Sequence, residues 1–244
     1  MVNVKGKWCL ITGASRGIGY KIALFMAEHG ANLILQSRNS MHTEKVLSEV
    51  KALGVEAYIV EAELSSSVSV NKMLENIDQK GTNVEIVFNN AAVQIAYRNE
   101  YFKTPVNDFV ESFNINTIAP ALICYHLLPK MIENGFGRII NVTSGIKNEP
   151  EQAGYSASKA ALDKITLDLC PIIENSDVIM NLVDPGWCRT DLGGPNAPNS
   201  VESTIPGMCV GAFIDDKKSG RLFPAQMFAG MTLQEAVSKA EIML

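Results

Sequence analysis

The chain has 244 residues, 47% of them hydrophobic and 19% charged, with a formal net charge of −5. That composition gives a globular protein with enough apolar side chains for a sizeable core. The acidic balance, with no Lys/Arg cluster, excludes nucleic acid and anionic membrane surfaces as partners. No uninterrupted apolar run approaches the ~18 residues of a membrane span, and the richest stretch, Ile118 to Leu128, is broken by Pro120 and His126. Met1 leads into an apolar run at Trp8 without a basic-then-apolar leader, so the cytoplasm is the expected compartment. Cys9, Cys124, Cys170, Cys188 and Cys209 are odd in number and form no C-x-x-C pair, and the three histidines are isolated. Reduced thiols and no metal are expected.

Short β-branched runs alternate with segments of helical period, the pattern of βαβ units around a mostly parallel sheet. The first run, Trp8–Thr12, leads into Thr12-Gly13-Ala14-Ser15-Arg16-Gly17-Ile18-Gly19. Glycines at a strand-to-helix junction allow a tight turn and close approach of backbone to a diphosphate, at the positive end of the helix. A helical stripe follows at Ile18, Ile22, Phe25 and Met26, then a strand at Asn32–Gln36. A second stripe, Val46, Leu47, Val50 and Leu53, precedes a strand at Glu56–Val60, and a third, Met73, Leu74 and Ile77, precedes one at Glu85–Asn89. Asn107 to Glu133 reads as one long helix in which Pro120 and the paired Asn114 and Asn116 predict a bend or irregularity. Strands at Arg138–Thr143, Val178–Val183 and Arg221–Phe223 complete seven. Gly193 to Ser200, rich in Gly, Pro and Asn, reads as a mobile loop within a flap spanning residues 191–205. No repeat or linker divides the chain, so residues 1–244 form one domain.

Tyr155 and Lys159, four apart on a helix, lie on one face with Cβ atoms roughly 5–6 Å apart. A positive charge beside a phenol favours its ionised form, so Lys159 is expected to pull the Tyr155 pKa down toward the working pH.

These motifs together resemble the short-chain dehydrogenase/reductase family from Lys7 to Thr190. The signatures come in order: T-G-x-x-x-G-I-G at Thr12 to Gly19, N-N-A-A at Asn89 to Ala92 and F-N-I-N at Phe113 to Asn116. N-V-T-S at Asn141 to Ser144, Y-S-A-S-K at Tyr155 to Lys159 and D-P-G-W-C-R-T at Asp184 to Thr190 follow. The resemblance implies an α/β, doubly wound Rossmann fold with helices on both faces of the sheet. It implies an oxidoreductase that moves hydride between a nicotinamide dinucleotide and a carbonyl or alcohol. Tyr155 would be the general acid or base, Lys159 would lower its pKa and bind the nicotinamide ribose, and Ser144 would hold the substrate oxygen. Asn116 would keep a water that leads from Lys159 to solvent. Cofactor contacts would come from Gly13, Ser15, Arg16, Gly17, Ile18, Gly19, Ser37, Arg38, Glu63, Leu64, Asn90 and Ala91. Pro185, Gly186, Cys188 and Thr190 would add to them, with Tyr155 and Lys159.

The cofactor can be argued from charge. An NAD site uses an acid at the end of the second strand to bind the ribose 2′-OH, and that acid repels a 2′-phosphate. Here the stretch is Leu35-Gln36-Ser37-Arg38. Arg38 can pair with the phosphate, Ser37 can donate to it, and Arg16 lies on the same side, which favours NADP(H) over NAD(H).

Glu63 departs from the family's usual Asp or Asn. The C-terminal segment 220–244 lacks the family's common ending and reads as an added amphipathic helix, Thr232 to Ile242, with Leu233, Val237 and Ala240 on one side. A homodimer or homotetramer is expected. On the substrate side, Lys147, Asn148 or Gln152 is expected to border the pocket and favour a small carbonyl compound with polar groups. An alternative is an idle dinucleotide-binding regulator, for which Ser144, Tyr155 and Lys159 together would have no use.

Overall fold

In the computed structural model, which describes residues 1–243, the strands are β1 (Trp8–Ile11), β2 (Asn32–Ser37), β3 (Ala57–Glu61), β4 (Val84–Asn89), β5 (Gly137–Val142), β6 (Val178–Asp184) and β7 (Leu222–Pro224). They form one sheet in the order β3-β2-β1-β4-β5-β6-β7. Every pairing is parallel, where a mostly parallel sheet was expected. Strand ends differ from the predicted ones by about one residue, as is usual for boundaries. β7, for example, starts at Leu222 because the Arg221 N–H donates to the Asn181 side chain. The order runs outward from β1 to β3 on one side and from β4 to β7 on the other. The crevice past the ends of β1 and β4 is therefore the topological switch point at which such sheets bind ligands.

Both faces are covered because parallel strands need crossovers. On one face, α1 (Gly17–Glu28) and α2 (Glu44–Ala52) bury Ile22, Met26, Val46 and Val50 beside α7 (Val210–Phe213) and α8 (Leu233–Ile242). Leu53, expected in the second stripe, lies past the end of α2 and is exposed. On the other face, α3 (Ser67–Gln79) buries Val70, Met73, Leu74 and Ile77 against α5 (Ala119–Glu133) and the end of α6 (Ala153–Ile173).

The long helix is α4 (Val106–Phe113), a π-helical turn Asn114–Ile118, and α5, so the irregularity falls where the asparagines predicted it. Val106–Glu133 is long and apolar enough to cross a membrane by length and composition, which the broken apolar runs did not suggest. Half of its most apolar window is buried within the protein, as in a core helix.

The C-terminal segment is tied to the entry end of β5 and β6. Arg138, with no exposed side-chain surface, donates to the Ile214, Gly137 and Asp177 carbonyls and faces the carboxylates of Asp177 at 3.0 Å and Asp215 at 3.7 Å. Arg221 makes a forked pair with Asp216 and donates to the Ala240 carbonyl of α8. α8 itself opens on a capping box between Thr232 and Glu235 and buries Ala236, Val237 and Ala240 in its own chain. Leu233, expected beside them, is only partly buried.

Candidate active site

The glycine loop leaves β1 and enters α1. Gly13 and Gly17 have φ of +64° and +56°, a region side chains avoid. A Cβ at Gly19 would lie 2.2 Å from the Gly13 carbonyl oxygen and 2.6 Å from Asn90 Nδ2. At Gly19 the protein's own backbone and Asn90 occupy the space a side chain would need, so only glycine lets α1 start this close to the loop. The Thr12 hydroxyl accepts from the Asn90 and Ala91 N–H groups, and Asn90 Nδ2 donates to the Thr12 carbonyl. Gln36 receives the Gly13 N–H and donates to the Ala62 carbonyl, which pins the loop to β2 and the end of β3. Thr12 and Gln36 were not among the sequence candidates. Their buried polar character at strand ends was the available signal.

The other cofactor candidates fall at the rim of this crevice, with different freedom. Arg38 is exposed just past β2. Ser37 is buried, and its hydroxyl is engaged with the Asn39 carbonyl and Thr43, so it does not point a free donor outward as expected. Ser15 and Ile18 sit half-buried in the loop, and Arg16 is in an exposed ion pair with Asp191 at 2.7 Å. The Glu63 carboxylate caps the following turn by accepting from Ser65, while Leu64 is buried and lines a cavity of about 380 Å³ with Asn114 and Ile118.

Beyond β6, Gly186 turns with φ +72°, and Cys188 is buried with its thiol donating to the Pro185 carbonyl. Thr190 packs against the space beside Gly17 and accepts from Gly193 N–H. The segment read as a mobile loop is closed on itself. Arg189 donates to the Ala197 and Pro198 carbonyls, Trp187 Nε1 donates to the Gly193 carbonyl, and Cys188 bridges Asn199.

α6 brings Tyr155 and Lys159 to the end of β5. Both are buried, and the Ser144 hydroxyl lies on the Tyr155 phenol side, where it acts on the phenol. Lys159 Nζ donates to the Val142 carbonyl at 2.7 Å. The expectation for the pKa of Tyr155 is corrected here. Burial pushes the phenol above its ordinary 10, the Ser144 hydroxyl only partly opposes that, and the charge of Asp184 adds to it. The group brought toward neutrality is Lys159, which burial lowers from 10.5 to about 8 against the charges of Asp163 and Asp184. A desolvated ammonium loses its proton more readily.

Asn116 lies in the π turn, fully buried. Its side chain accepts from Val93 N–H and donates to the Val93 carbonyl and Ser158 Oγ. Both N–H donors of that side chain are taken by protein. Thr143, the neighbouring hydroxyl, is buried beneath the site, which leaves Ser144 as the one that acts on Tyr155. Gln152, expected at the pocket, is buried and donates to the Ile95 carbonyl, whereas Lys147 and Asn148 are exposed. Among the described residues, no group of three His, Cys, Asp or Glu could hold a metal ion.

Comparison with known proteins agrees with this geometry. The family model described as short chain dehydrogenase matches residues 7–200. The chain is 32% identical over 195 residues to the 3-oxoacyl-[acyl-carrier-protein] reductase of Aquifex aeolicus, covering 78% of this chain and 77% of that protein. It resembles a metagenomic short-chain oxidoreductase solved in complex with NADP, at 28% identity and TM-score 0.70, over 76% of this chain and 84% of the other. It also resembles an NAD+-bound xylitol dehydrogenase, at 25% identity and TM-score 0.74, over 91% and 98%. A match running from the first strand through the flap, on the motifs that build the crevice, establishes that the chain belongs to the short-chain dehydrogenase family of oxidoreductases.

Proposed function

We propose that the protein is an NADP(H)-dependent reductase of a ketone or aldehyde, with Tyr155 as proton donor. The observation that carries this reading is the buried Tyr155 phenol, one helical turn from the buried Lys159 on α6. The bound nicotinamide would supply the hydride to the carbonyl carbon. Ser144 would donate to the carbonyl oxygen as charge develops on it, and Tyr155 would release its proton to that oxygen. Burial keeps the phenol protonated, the form reduction requires. Lys159 would steady the resulting phenolate, return a proton to it and be reprotonated in turn by way of water at Asn116.

The solved relatives include both an NADP complex and an NAD+ complex, so the preference for NADP(H) rests on charge. Arg38 is exposed past β2, where no acid stands to repel a 2′-phosphate. Arg16 would join it by exchanging Asp191 for the phosphate. Glu63, Leu64, Asn90, Ala91, Pro185, Gly186, Cys188 and Thr190 would line the remaining length of the cofactor. A homo-oligomer in the cytoplasm completes the reading. Apolar side chains left exposed around α4, including Phe102, Val106 and Val110, favour such an interface.

The test follows NADPH absorbance across a panel of carbonyl compounds, with Tyr155→Phe beside the parent. Turnover that drops by about 10²–10⁴-fold in the variant supports the reading. Tight NADPH binding with no Tyr155-dependent oxidation of it points to an idle regulator. Arg38→Glu is expected to reverse the ratio of NADPH to NADH use.

A further inference from the structure

The flap after β6 is bonded within itself from Trp187 to Asn199, so it moves as a unit about two stems, Pro185–Gly186 and Ser200–Ser203. Both stems converge on one side chain. Gln226, in the turn after β7, donates from Nε2 to the Pro185 carbonyl at 2.8 Å and accepts at Oε1 from Ser203 Oγ at 3.0 Å. The Ser203 hydroxyl shares its proton with the Ser200 carbonyl at 2.8 Å, so the bond to Pro185 is the firmer of the two. A backbone carbonyl only accepts, which fixes the amide with its nitrogen toward Pro185.

The turn that carries Gln226 is anchored. Ala225 and Phe228 have no exposed surface, and a Cβ at Gly207 would lie 2.3 Å from the Ala225 carbonyl oxygen. On the flap side, a Cβ at Gly186 would lie 3.1 Å from Gln226 Cγ and 3.3 Å from Asn199 Nδ2. Gln226 is therefore a strut between a fixed turn and the hinge of the flap. Across the crevice, the flap is tied to the glycine loop and α1 by ion pairs, Arg16 to Asp191 at 2.7 Å and Lys21 to Glu202 at 3.1 Å. Both carboxylates are exposed, so these pairs hold the flap weakly, and less so in salt.

Resting on the proposed reading of this crevice as a dinucleotide site, we propose that Gln226 is the positioning residue that keeps the flap closed and so sets how long the dinucleotide stays bound. Pro185, Gly186, Cys188 and Thr190, expected along the cofactor, all lie on the stem or the flap that this side chain holds. Losing the strut frees the flap to lift about its stems, which opens an exit for the cofactor but leaves the glycine loop that receives it unchanged. The effect falls on dissociation more than on association. A reporter lies beside the strut. Cys188 is 4% exposed, its thiol donates to the Pro185 carbonyl at 3.2 Å, and Gln226 Nε2 lies 3.7 Å from its sulfur. A thiol reagent reaches that sulfur when the flap lifts.

The experiment treats the cofactor-free protein with N-ethylmaleimide and reads the labelling rate at each cysteine by peptide mass spectrometry, for the parent, Gln226→Ala and Gln226→Glu. The glutamate keeps the packing on Gly186 and the acceptor for Ser203 but loses the donor to Pro185. NADPH association and dissociation are followed by stopped-flow fluorescence, with thermal unfolding beside them. Cys188 is expected to label about tenfold faster in Gln226→Ala, as one or two lost hydrogen bonds would give, with Cys9, Cys124, Cys170 and Cys209 unchanged. Gln226→Glu should move the same way, and NADPH should leave both variants faster while its association rate holds. Labelling of Cys188 at the parental rate overturns the proposal. So does acceleration at every thiol, which marks a loosened fold, and so does faster labelling with unchanged NADPH dissociation. If Gln226→Ala does not fold, Gln226→Glu decides by the same outcomes. The labelling needs no cofactor. A parent that binds neither NADPH nor NADH therefore overturns the dinucleotide reading, while Cys188 still decides whether Gln226 holds the flap.

Discussion

The two ends of β5 and β6 hold buried cations in opposite ways. At the entry end, Arg138 has three backbone carbonyls and the carboxylates of Asp177 and Asp215 around it. At the exit end, Lys159 is equally removed from water, yet its hydrogen bond is to one carbonyl, Val142. Buried polar atoms without a hydrogen-bond partner occur at both ends, Arg138 Nη2 and Asp177 Oδ1 at the entry and Thr143 Oγ1 and Asp163 Oδ1 at the exit, so the difference lies in the number of acceptors around the cation. A cation surrounded by acceptors keeps its charge and contributes to stability once its desolvation is offset. A cation short of partners sits near the point of losing its proton, which a proton-handling site requires. The same sheet thus separates a structural end from a chemical one.

The strongest test of that separation is Arg138→Met. Leaving Asp177 and three carbonyls without their partner is expected to cost about 3 kcal/mol of unfolding free energy by urea titration, the low end of the usual range because Asp177 is partly exposed. Turnover per folded molecule should not change. A folded variant with no activity would break the contrast. At the other end, kcat/KM for reduction should fall about tenfold per pH unit above about 8, where Lys159 loses its proton. Lys159→Arg should move that limb upward. Stability should run the other way. The unfolded chain holds this proton up to its ordinary 10.5 and the folded chain releases it near 8, so unfolding free energy rises with pH between them.

A smaller effect is expected at α8, which closes the entry end through Arg221. Thr232→Ala removes its N-cap and should cost about 1 kcal/mol without altering kinetics. The smallest concerns Asp191→Asn. Its pair with Arg16 is exposed on both sides, so the melting temperature should stay within error. NADPH affinity should rise modestly as Arg16 is released to a 2′-phosphate.

The chemical end was the more legible in the sequence because its residues are close along the chain and its glycines are demanded by backbone geometry. Gly13, Gly17 and Gly19 announce a loop with no room for side chains, and Tyr155 with Lys159 needs only a helix to share a face. The irregularity at Asn114 and Asn116 was readable as well, because a proline beside them could not continue an undisturbed helix. Arg138 and Arg221 carried no such mark. Arg138's carboxylate partners lie dozens of residues away, and Arg221, though it forks onto nearby Asp216, ties to α8 through a backbone carbonyl, which neither spacing nor composition records. Ser37 misled for a local reason, since its hydroxyl is taken up by Asn39 and Thr43 in the turn that follows β2.

By itself, then, the sequence determined the alternation of strands and helices, the crevice glycines and which side chains share the catalytic helix face. These follow from local periods and allowed dihedrals, which short stretches of chain already contain. Only the tertiary structure decided the electrostatics. Tyr155 is raised and Lys159 lowered because both leave water on packing against β5, and desolvation outweighs the helix-turn proximity from which the opposite shift was expected for Tyr155. Asp184 likewise reaches the Gly145 N–H, one residue past Ser144, only when β6 pairs with β5, which brings together residues far apart in the chain.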